Sequence, residues 1–346
     1  MSARTICHAI HYGALTGGSF IPAIASLSRA IVARGDRFIV FASDVPGARW
    51  PGELSAAGVD VRLVRDDIAL KKGLRELRPD VIHTHFNRFD LTAALFERHA
   101  RVFWHVHSHR ERISPLARIK AFAKYRVVGS RVEAVVTVSE AMREECVAWF
   151  SRRERVHVVY NGVDVQHFRP PSLEERCHAR ATFGIAPDDR VIVFFERVPY
   201  KGGAVVKRAL EMLPHCRLLV TGGTPEDRAR FGVPPRVIAI ERAADARTLY
   251  WAADALAFAS DREAFGLVLV EALACGLPIA ASNISVVHEI CDGIESVFLF
   301  PVGDAEGLAE AIERAVACKN GQHGRSHVVD RFSLERWTSD TLKLYA

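Results

Sequence analysis

The sequence has no cysteine framework. Its 7 Cys stand singly at positions 7, 146, 177, 216, 275, 291 and 318, without a C-x-x-C. An odd, dispersed set argues against a disulfide scaffold or zinc ribbon and for free thiols in a reducing compartment. Long hydrophobic runs are missing too. The most apolar stretch, Ala264 to Ala281, is interrupted by Glu271, Gly276 and Pro278, which excludes a transmembrane helix. The first residues, MSARTICHAI, read as a strand and not as a signal peptide. There is no Walker A loop, no G-x-G-x-x-G, no D-x-D, no H-E-x-x-H and no G-x-S-x-G elbow, so nothing points to a hydrolase. No low-complexity tract, short repeat or DNA- or RNA-binding module is present, and nucleic acid is not an expected partner.

What remains is an ordinary globular composition over 346 residues, 49% hydrophobic and 25% charged, long enough for two domains. The net charge of +5 is unevenly spread. Through Pro170 there are 26 basic against 17 acidic residues, and from Pro171 onward 20 against 24. The front half therefore carries +9 and the back half −4, as in a chain whose halves face different things.

Short apolar runs alternate with helical spacing. In the first half strands are expected at Thr5–Ile10, Phe38–Ala42, Val59–Val64, Asp80–His85, Val102–Val106, Ala134–Val138 and Val156–Tyr160. Phe20, Ile24, Leu27 and Ile31 mark a helix that Gly35 ends. After the break FRPPS, residues 168–172, strands resume at Val191–Phe195, Arg217–Thr221, Val237–Ile240, Ala255–Ala259, Pro278–Ser282 and Ser296–Phe300. Continuous apolar strands between helices imply parallel sheets buried on both faces. The expected fold class is α/β, with two Rossmann-like doubly wound domains facing a cleft. The expected domains are residues 1–168, to bind the acceptor, residues 172–332, to bind the donor, and a closing amphipathic helix over 333–346, with Leu334, Trp337, Leu342 and Tyr345 on its apolar face, expected to cross back to the first domain.

The most informative string is SDREAFGLVLVEALACGLP, residues 260–278. Glu263 lies in a loop past a strand, a helix is expected from about Gly266 to Gly276, and Glu271 falls inside it. A helix start offers unpaired N–H groups and a positive dipole end to a phosphate. A carboxylate on either side suits hydroxylated groups flanking a diphosphate, which is the layout of a nucleotide sugar. Two Glu at this spacing are, by themselves, more often solvated helix charges. In FERVPYKGG, residues 195–203, Arg197 and Lys201 share one loop at a strand end. Arg by bidentate bonds and Lys as a point charge suit a diphosphate. A surface Arg and Lys are usually just a solvated pair.

The full string resembles the signature E-x-F-G-L…E-A-x-A-x-G-x-P of the retaining family-4 glycosyltransferases of GT-B fold. ALTGGSF (14–20), DVIHTHF (80–86), VTVSEAMREECV (136–147) and VVYNGVDVQHFRPP (158–171) are similar to further segments of that family. The resemblance implies transfer of a sugar from a nucleotide diphosphate sugar to an acceptor hydroxyl, with retention. Glu263 would contact the transferred sugar, Glu271 the ribose hydroxyls, and the N–H groups of Phe265–Leu267, with Ala264 and Gly266 beside them, the sugar and phosphates. Arg197 and Lys201 would stabilise the leaving diphosphate, and Gly17 and Gly18 would let a loop approach the ligand. VFWHVHSH resembles the strand end bearing a sugar-contacting His. His107 is its best match, and His105 and His109 are register alternatives. With D-x-D missing, metal-independent transfer without a cofactor is expected. The alternating His105, His107 and His109 also admit a metal reading, which no Cys cluster supports.

Three departures from the family pattern stand out. Glu196 and Glu241 occupy places where the family commonly has Gly, and an acid pointing inward there would repel a phosphate. SNISVVHEI (282–290) keeps Glu289 but lacks the glycines of a Gly-Gly-x-x-Glu loop. These departures are the best support for one alternative, a non-catalytic GT-B subunit; the other alternative is an epimerase or phosphorylase of the same fold. Residues 110–131 are dense in Lys and Arg, with Ile119, Phe122 and Ala123 as an apolar stripe. They read either as a solvated basic face or as a docking surface for an anionic membrane beside a lipid-linked acceptor. Sugar or small-molecule acceptors are equally admitted, and the expected location is cytoplasmic, including the inner membrane face.

Overall fold

The computed structural model describes residues 3–15, 17–96, 99–109, 115–150, 153–196, 198–243, 245–318 and 322–346. The chain divides into two compact units, Met1–Gly162 with Leu334–Ala346, and Val163–Ser333.

The first unit is built on seven strands: β1 (Thr5–Ile10), β2 (Arg37–Ser43), β3 (Asp60–Val64), β4 (Val81–His85), β5 (Arg101–Val106), β6 (Ala134–Thr137) and β7 (Val156–Val158). They run parallel in the order β3-β2-β1-β4-β5-β6-β7. The order reverses between β1 and β4, where open α/β sheets place ligands beyond the strands' carboxyl ends. Every residue of β1 and β4 is buried, which explains their unbroken apolar pattern. The register sets His8 beside His83 and Ile10 beside His85, with His85 next to His105.

The helix Phe20–Ala33 lays Ile24, Leu27 and Ile31 on the core with Phe38, Val40, Trp50 and Leu54. Gly35 follows at φ +83°, a left-handed conformation that ends the helix without side-chain strain. The closing helix Leu334–Leu344, with Tyr345 behind it, adds Leu334, Trp337, Leu342 and Tyr345 to the same core. Truncating a buried Leu here to Ala would cost about 2–5 kcal/mol.

The second unit repeats the plan with β8 (Arg190–Phe195), β9 (Cys216–Thr221), β10 (Val237–Ile240), β11 (Ala255–Phe258), β12 (Ile279–Ser282) and β13 (Val297–Phe300). All six are parallel, in the order β10-β9-β8-β11-β12-β13, and the reversal falls between β8 and β11.

The units divide at Gly162/Val163, ahead of the prolines at which the sequence suggests the break. Hydrogen bonds explain the shift. The Val163 N–H donates to the Phe332 carbonyl at 2.8 Å, and Arg325 donates to the carbonyls of Val165 and Phe168. Residues 163–168 are thus tied into the second unit. The prolines instead precede a helix, Leu173–Thr182, whose start is closed by the Ser172/Glu175 capping box.

Candidate functional site

In the second unit the site grows from the loops after β8 and β11. The turn Pro199–Lys201 leads into Gly202, at φ +77°, where a Cβ would run into the Ala259 carbonyl. Glycine therefore lets the first loop close on the second. The Asp261 N–H donates to the Tyr200 carbonyl at 2.9 Å, and Arg262 lies over the Tyr200 ring at 5.0 Å. This approach brings Lys201 Nζ into an ion pair with Glu263 Oε1, which also accepts from Ser260 Oγ at 2.9 Å. Both charged side chains are largely buried. Phe194, Phe195, Phe258, Ser260 and Val268 line a small cavity beside Lys201.

Glu263 and Ala264 lead through buried Phe265 to Gly266, which starts the helix Leu267–Ala274 at φ +90°. A side chain there would be strained, so glycine is required by the backbone turn. Gly266 supplies no side-chain acceptor, which suits this helix start to an outside anion. Glu271 is buried further along the helix and accepts from the Tyr250 hydroxyl at 2.7 Å. Tyr250 is in turn stacked on Phe195, with centroids 5.4 Å apart. Of the residues singled out in the sequence, Lys201 and Glu263 are thus brought together and Glu271 is held by Tyr250. Arg197 lies outside the described residues. Sequence reasoning missed Tyr250 and Ser260, because neither belongs to the charged pattern that carried the motif.

Glu196 does not point at a diphosphate loop as an open charge. It is buried, and Arg230 Nη2 donates to its Oε2 at 2.5 Å. Burial pushes its carboxyl pKa up, and Arg230 opposes that shift. Glu241 is exposed at the surface.

In the first unit, Gly17, Gly18 and His107 lie near the carboxyl end of the sheet. A Cβ on Gly17 would collide with Ile21, and Gly18 sits at φ +52°. His107 stacks on Phe86 at 4.4 Å and meets Phe20 edge-on at 5.5 Å, while Tyr12 stacks on Phe86. Phe86 and Asn87 hold positive φ of 62° and 64°, a strained turn with no sequence signal. Of the register alternatives, His105 is sealed within β5 and His109 Nδ1 bonds Glu145 Oε2 at 2.6 Å.

Behind His107 runs a column of buried imidazoles: His85, His8 and His83, with Tyr345 at its far side and His105 stacked alongside. Burial disfavours their charged forms. It takes His8 and His107 down to about 3 and holds His83, His85 and His105 well below the usual imidazole range. Among the described residues two triads have nitrogens within 4.8 Å of one another, His8/His83/His85 and His85/His105/His107, compact enough to weigh for a metal. His85 is common to both, and its two nitrogens already meet His107 at 2.9 Å and His8 at 3.0 Å. Neither triad includes a carboxylate, so a dication would be buried without charge compensation. The geometry favours hydrogen bonding between the rings.

Two doubly wound parallel-sheet units, the second with a loop–helix site for an anion, define the GT-B class of fold. The chain belongs to the group 1, family-4 glycosyltransferases: residues 189–318 match the family Glycosyl transferases group 1, and residues 23–167 match Glycosyltransferase Family 4. The D-inositol 3-phosphate glycosyltransferase of Mycobacterium tuberculosis is 32% identical over 222 residues, covering 60% of this chain and 45% of that relative. A glycosyltransferase from Rickettsia africae superposes with a TM-score of 0.84 at 18% identity, over 100% of this chain and 98% of its own. Anabaena HepE in complex with UDP gives 0.83 at 19% identity, over 98% of each chain. These structural likenesses show a shared fold.

Proposed function

We propose that the protein is a glycosyltransferase that moves a sugar from a nucleotide diphosphate sugar to an acceptor hydroxyl with retention of anomeric configuration. Its products would be a polysaccharide, a glycolipid or a glycosylated metabolite. The observation that carries the proposal is the Lys201–Glu263 pair beside the glycine-started helix Leu267–Ala274. A cation, a helix dipole and a carboxylate converge where a sugar diphosphate needs all three. Anabaena HepE, of the same fold, has been crystallised with UDP-glucose, which supports this class of donor.

In the proposed reaction the acceptor oxygen bonds to the anomeric carbon as the bond from that carbon to the diphosphate oxygen breaks on the same face. The acceptor's proton passes to the departing phosphate oxygen. Lys201 stabilises the charge that grows on that oxygen, a role the family resemblance also gives to Arg197, and no metal is needed for it. Glu263 positions the sugar and its developing positive charge, Glu271 holds the ribose, and His107 is assigned the sugar-orienting role that the family resemblance implies. The Gly17–Gly18 loop would let the ligand approach, and the basic first unit would bind the acceptor.

A lipid-linked acceptor at the inner face of a membrane fits the helix Pro115–Arg126. Leu116, Ile119 and Phe122 are exposed on it, next to exposed Lys120 and Arg126. Lys124 is not part of that face, because it pairs with buried Asp90. No helix among the described residues is long and apolar enough to cross a membrane. Arg110, Glu111 and Arg112 lie outside the described residues.

The decisive experiment is a panel of nucleotide sugars with detection of released nucleoside diphosphate, with and without acceptors. The anomeric configuration of the product is then read by NMR. Acceptor-dependent release with retention is expected. Absence of calorimetric binding to every nucleotide tested would instead mark a non-catalytic subunit, and turnover of donor without acceptor an epimerase.

A further inference from the structure

The histidine column forms one continuous hydrogen-bonded chain within the first unit. His83 Nδ1 lies 2.6 Å from the Tyr345 hydroxyl, and that hydroxyl lies 2.8 Å from His8 Nε2. His8 Nδ1 lies 3.0 Å from His85 Nε2, and His85 Nδ1 lies 2.9 Å from His107 Nε2. Each contact needs one hydrogen, and the four neutral imidazoles and the phenol carry one each. Buried this deeply, the rings are neutral at ordinary pH.

Counting those hydrogens leaves two arrangements. If Tyr345 donates to His83, then His8 must donate to Tyr345, His85 to His8 and His107 to His85. All four histidines then carry the proton on Nε2. If Tyr345 donates to His8, every donor reverses and all four carry it on Nδ1. The chain cannot mix the two without leaving a contact that holds either two hydrogens or none.

His83 Nε2 decides between them. It is buried and has no partner. In the first arrangement it would be a buried N–H without an acceptor, and in the second it is only a bare lone pair. Orphaned buried donors are the rarer and costlier of the two. His105 has neither nitrogen partnered and its ring lies 4.2 Å from that of His107. It stands outside the chain, so its own orphan proton weighs equally on both arrangements.

We propose that Tyr345, His8 and His85 are positioning residues that hold His107 with its proton on Nδ1, so that it gives a hydrogen bond to an oxygen of the transferred sugar. This rests on the reading of His107 as a sugar-orienting group. A His107 of the opposite tautomer would present a lone pair, and would select a sugar hydroxyl turned to donate.

The test is long-range proton–nitrogen NMR of the full chain with ¹⁵N-histidine, without any donor. Protonated Nδ1 is expected at His8, His83, His85 and His107. Protonated Nε2 at His107, a mixture of tautomers along the chain, or stoichiometric metal found by elemental analysis would each overturn the proposal. A kinetic arm follows. His85→Leu should raise the KM for nucleotide sugar about tenfold, the loss expected of one oriented hydrogen bond. Combined with His107→Ala it should add nothing further, because His85 acts through His107. Additive losses would assign His85 a separate role and overturn the proposal. Uniform Nδ1 tautomers in a protein that binds no nucleotide sugar would fault the functional reading and leave the chain intact.

Discussion

Lys201 and Glu263 form an ion pair between the loops that follow β8 and β11, with only 15% and 10% of their side chains exposed. The cation suited to a diphosphate is thus already neutralised by the acid suited to the sugar. Donor binding under the proposed reaction has to divide this pair between two ligand groups. The pair therefore holds the two loops in register before the donor arrives.

Glu263→Gln keeps an oxygen for Ser260 Oγ and removes the charge. It is expected to lower the rate of nucleotide release by about 10²–10³, the usual loss for one preorganised electrostatic group. It also leaves the largely buried Lys201 ammonium without its counter-charge, so stability should fall by about 1–3 kcal/mol. Lys201→Ala should lose similar activity and, by stranding the Glu263 carboxylate, about 1–3 kcal/mol of stability as well. Turnover assays beside thermal melts separate the two effects. Near wild-type transfer by both variants would remove these residues from the site.

Glu196 and Arg230 give a second, independent expectation. Arg230→Ala leaves a buried carboxylate unpaired and should destabilise the second unit by about 1–3 kcal/mol at neutral pH. The sign with pH follows from the raised carboxyl pKa. Its ordinary value is 4.5, and the folded state takes up the proton more readily than the unfolded chain. Stability from this group is fully present below 4.5 and is lost as pH rises through the folded value. Without Arg230 the folded value climbs further, so the variant's deficit should shrink as pH falls through the carboxyl range. Melts of both proteins across that range check it, and a constant deficit would mean that Glu196 does not carry it.

The central strands were legible because parallel strands buried on both faces, such as β1 and β4, leave continuous apolar runs, whereas the edge strand β3, DVRLV, is largely exposed and interrupted by charges. Gly266 and the helix behind it were legible for a related reason, since a strand end, a glycine and an apolar helix leave local signals. The partners were not legible. Arg230 reaches Glu196, and Tyr250 reaches Glu271, across sequence gaps that no periodicity records. The ties around residues 163–168 were not legible for the same reason: two prolines are conspicuous, while the hydrogen bonds of Val163 and Arg325 join distant parts of the chain. Tyr345 reads from sequence only as the last apolar residue of an amphipathic helix, yet its hydroxyl closes the histidine chain.

The histidines predict an acid-sensitive first unit. His8 and His107 are held down to about 3, against an ordinary 6.5, and His83, His85 and His105 lie well below it. The unfolded chain therefore binds more protons than the folded one once pH drops below 6.5. Stability from these groups is present above 6.5 and is lost as pH falls toward about 3. Each contributes a slope of up to about 1.4 kcal/mol per pH unit. Melting temperatures followed from pH 7 downward should fall steeply. His105→Leu, which removes a ring with two unpartnered nitrogens, should flatten that slope and raise stability. A slope unchanged by His105→Leu would show that this ring titrates normally.

The exposed stripe on the helix Pro115–Arg126 gives the last expectation. Leu116, Ile119 and Phe122 are 61%, 66% and 53% exposed, spaced so that they share one helix face. Apolar side chains flanked by Lys and Arg bind anionic bilayers through two additive contributions: insertion of the apolar groups and attraction to the headgroups. The two respond differently. Salt weakens only the second, by shortening the screening length. Sedimentation with vesicles containing anionic lipid should therefore show binding at low salt that weakens as salt rises. Ile119→Asp with Phe122→Ser should weaken binding at low salt and abolish the part that survives high salt, without lowering transfer to a soluble acceptor. Lys124→Ala should act differently, since that ammonium belongs to Asp90 and contributes to the fold. Equal binding by the stripe variant, or no binding of the native chain at low salt, would leave this face as a solvated helix surface.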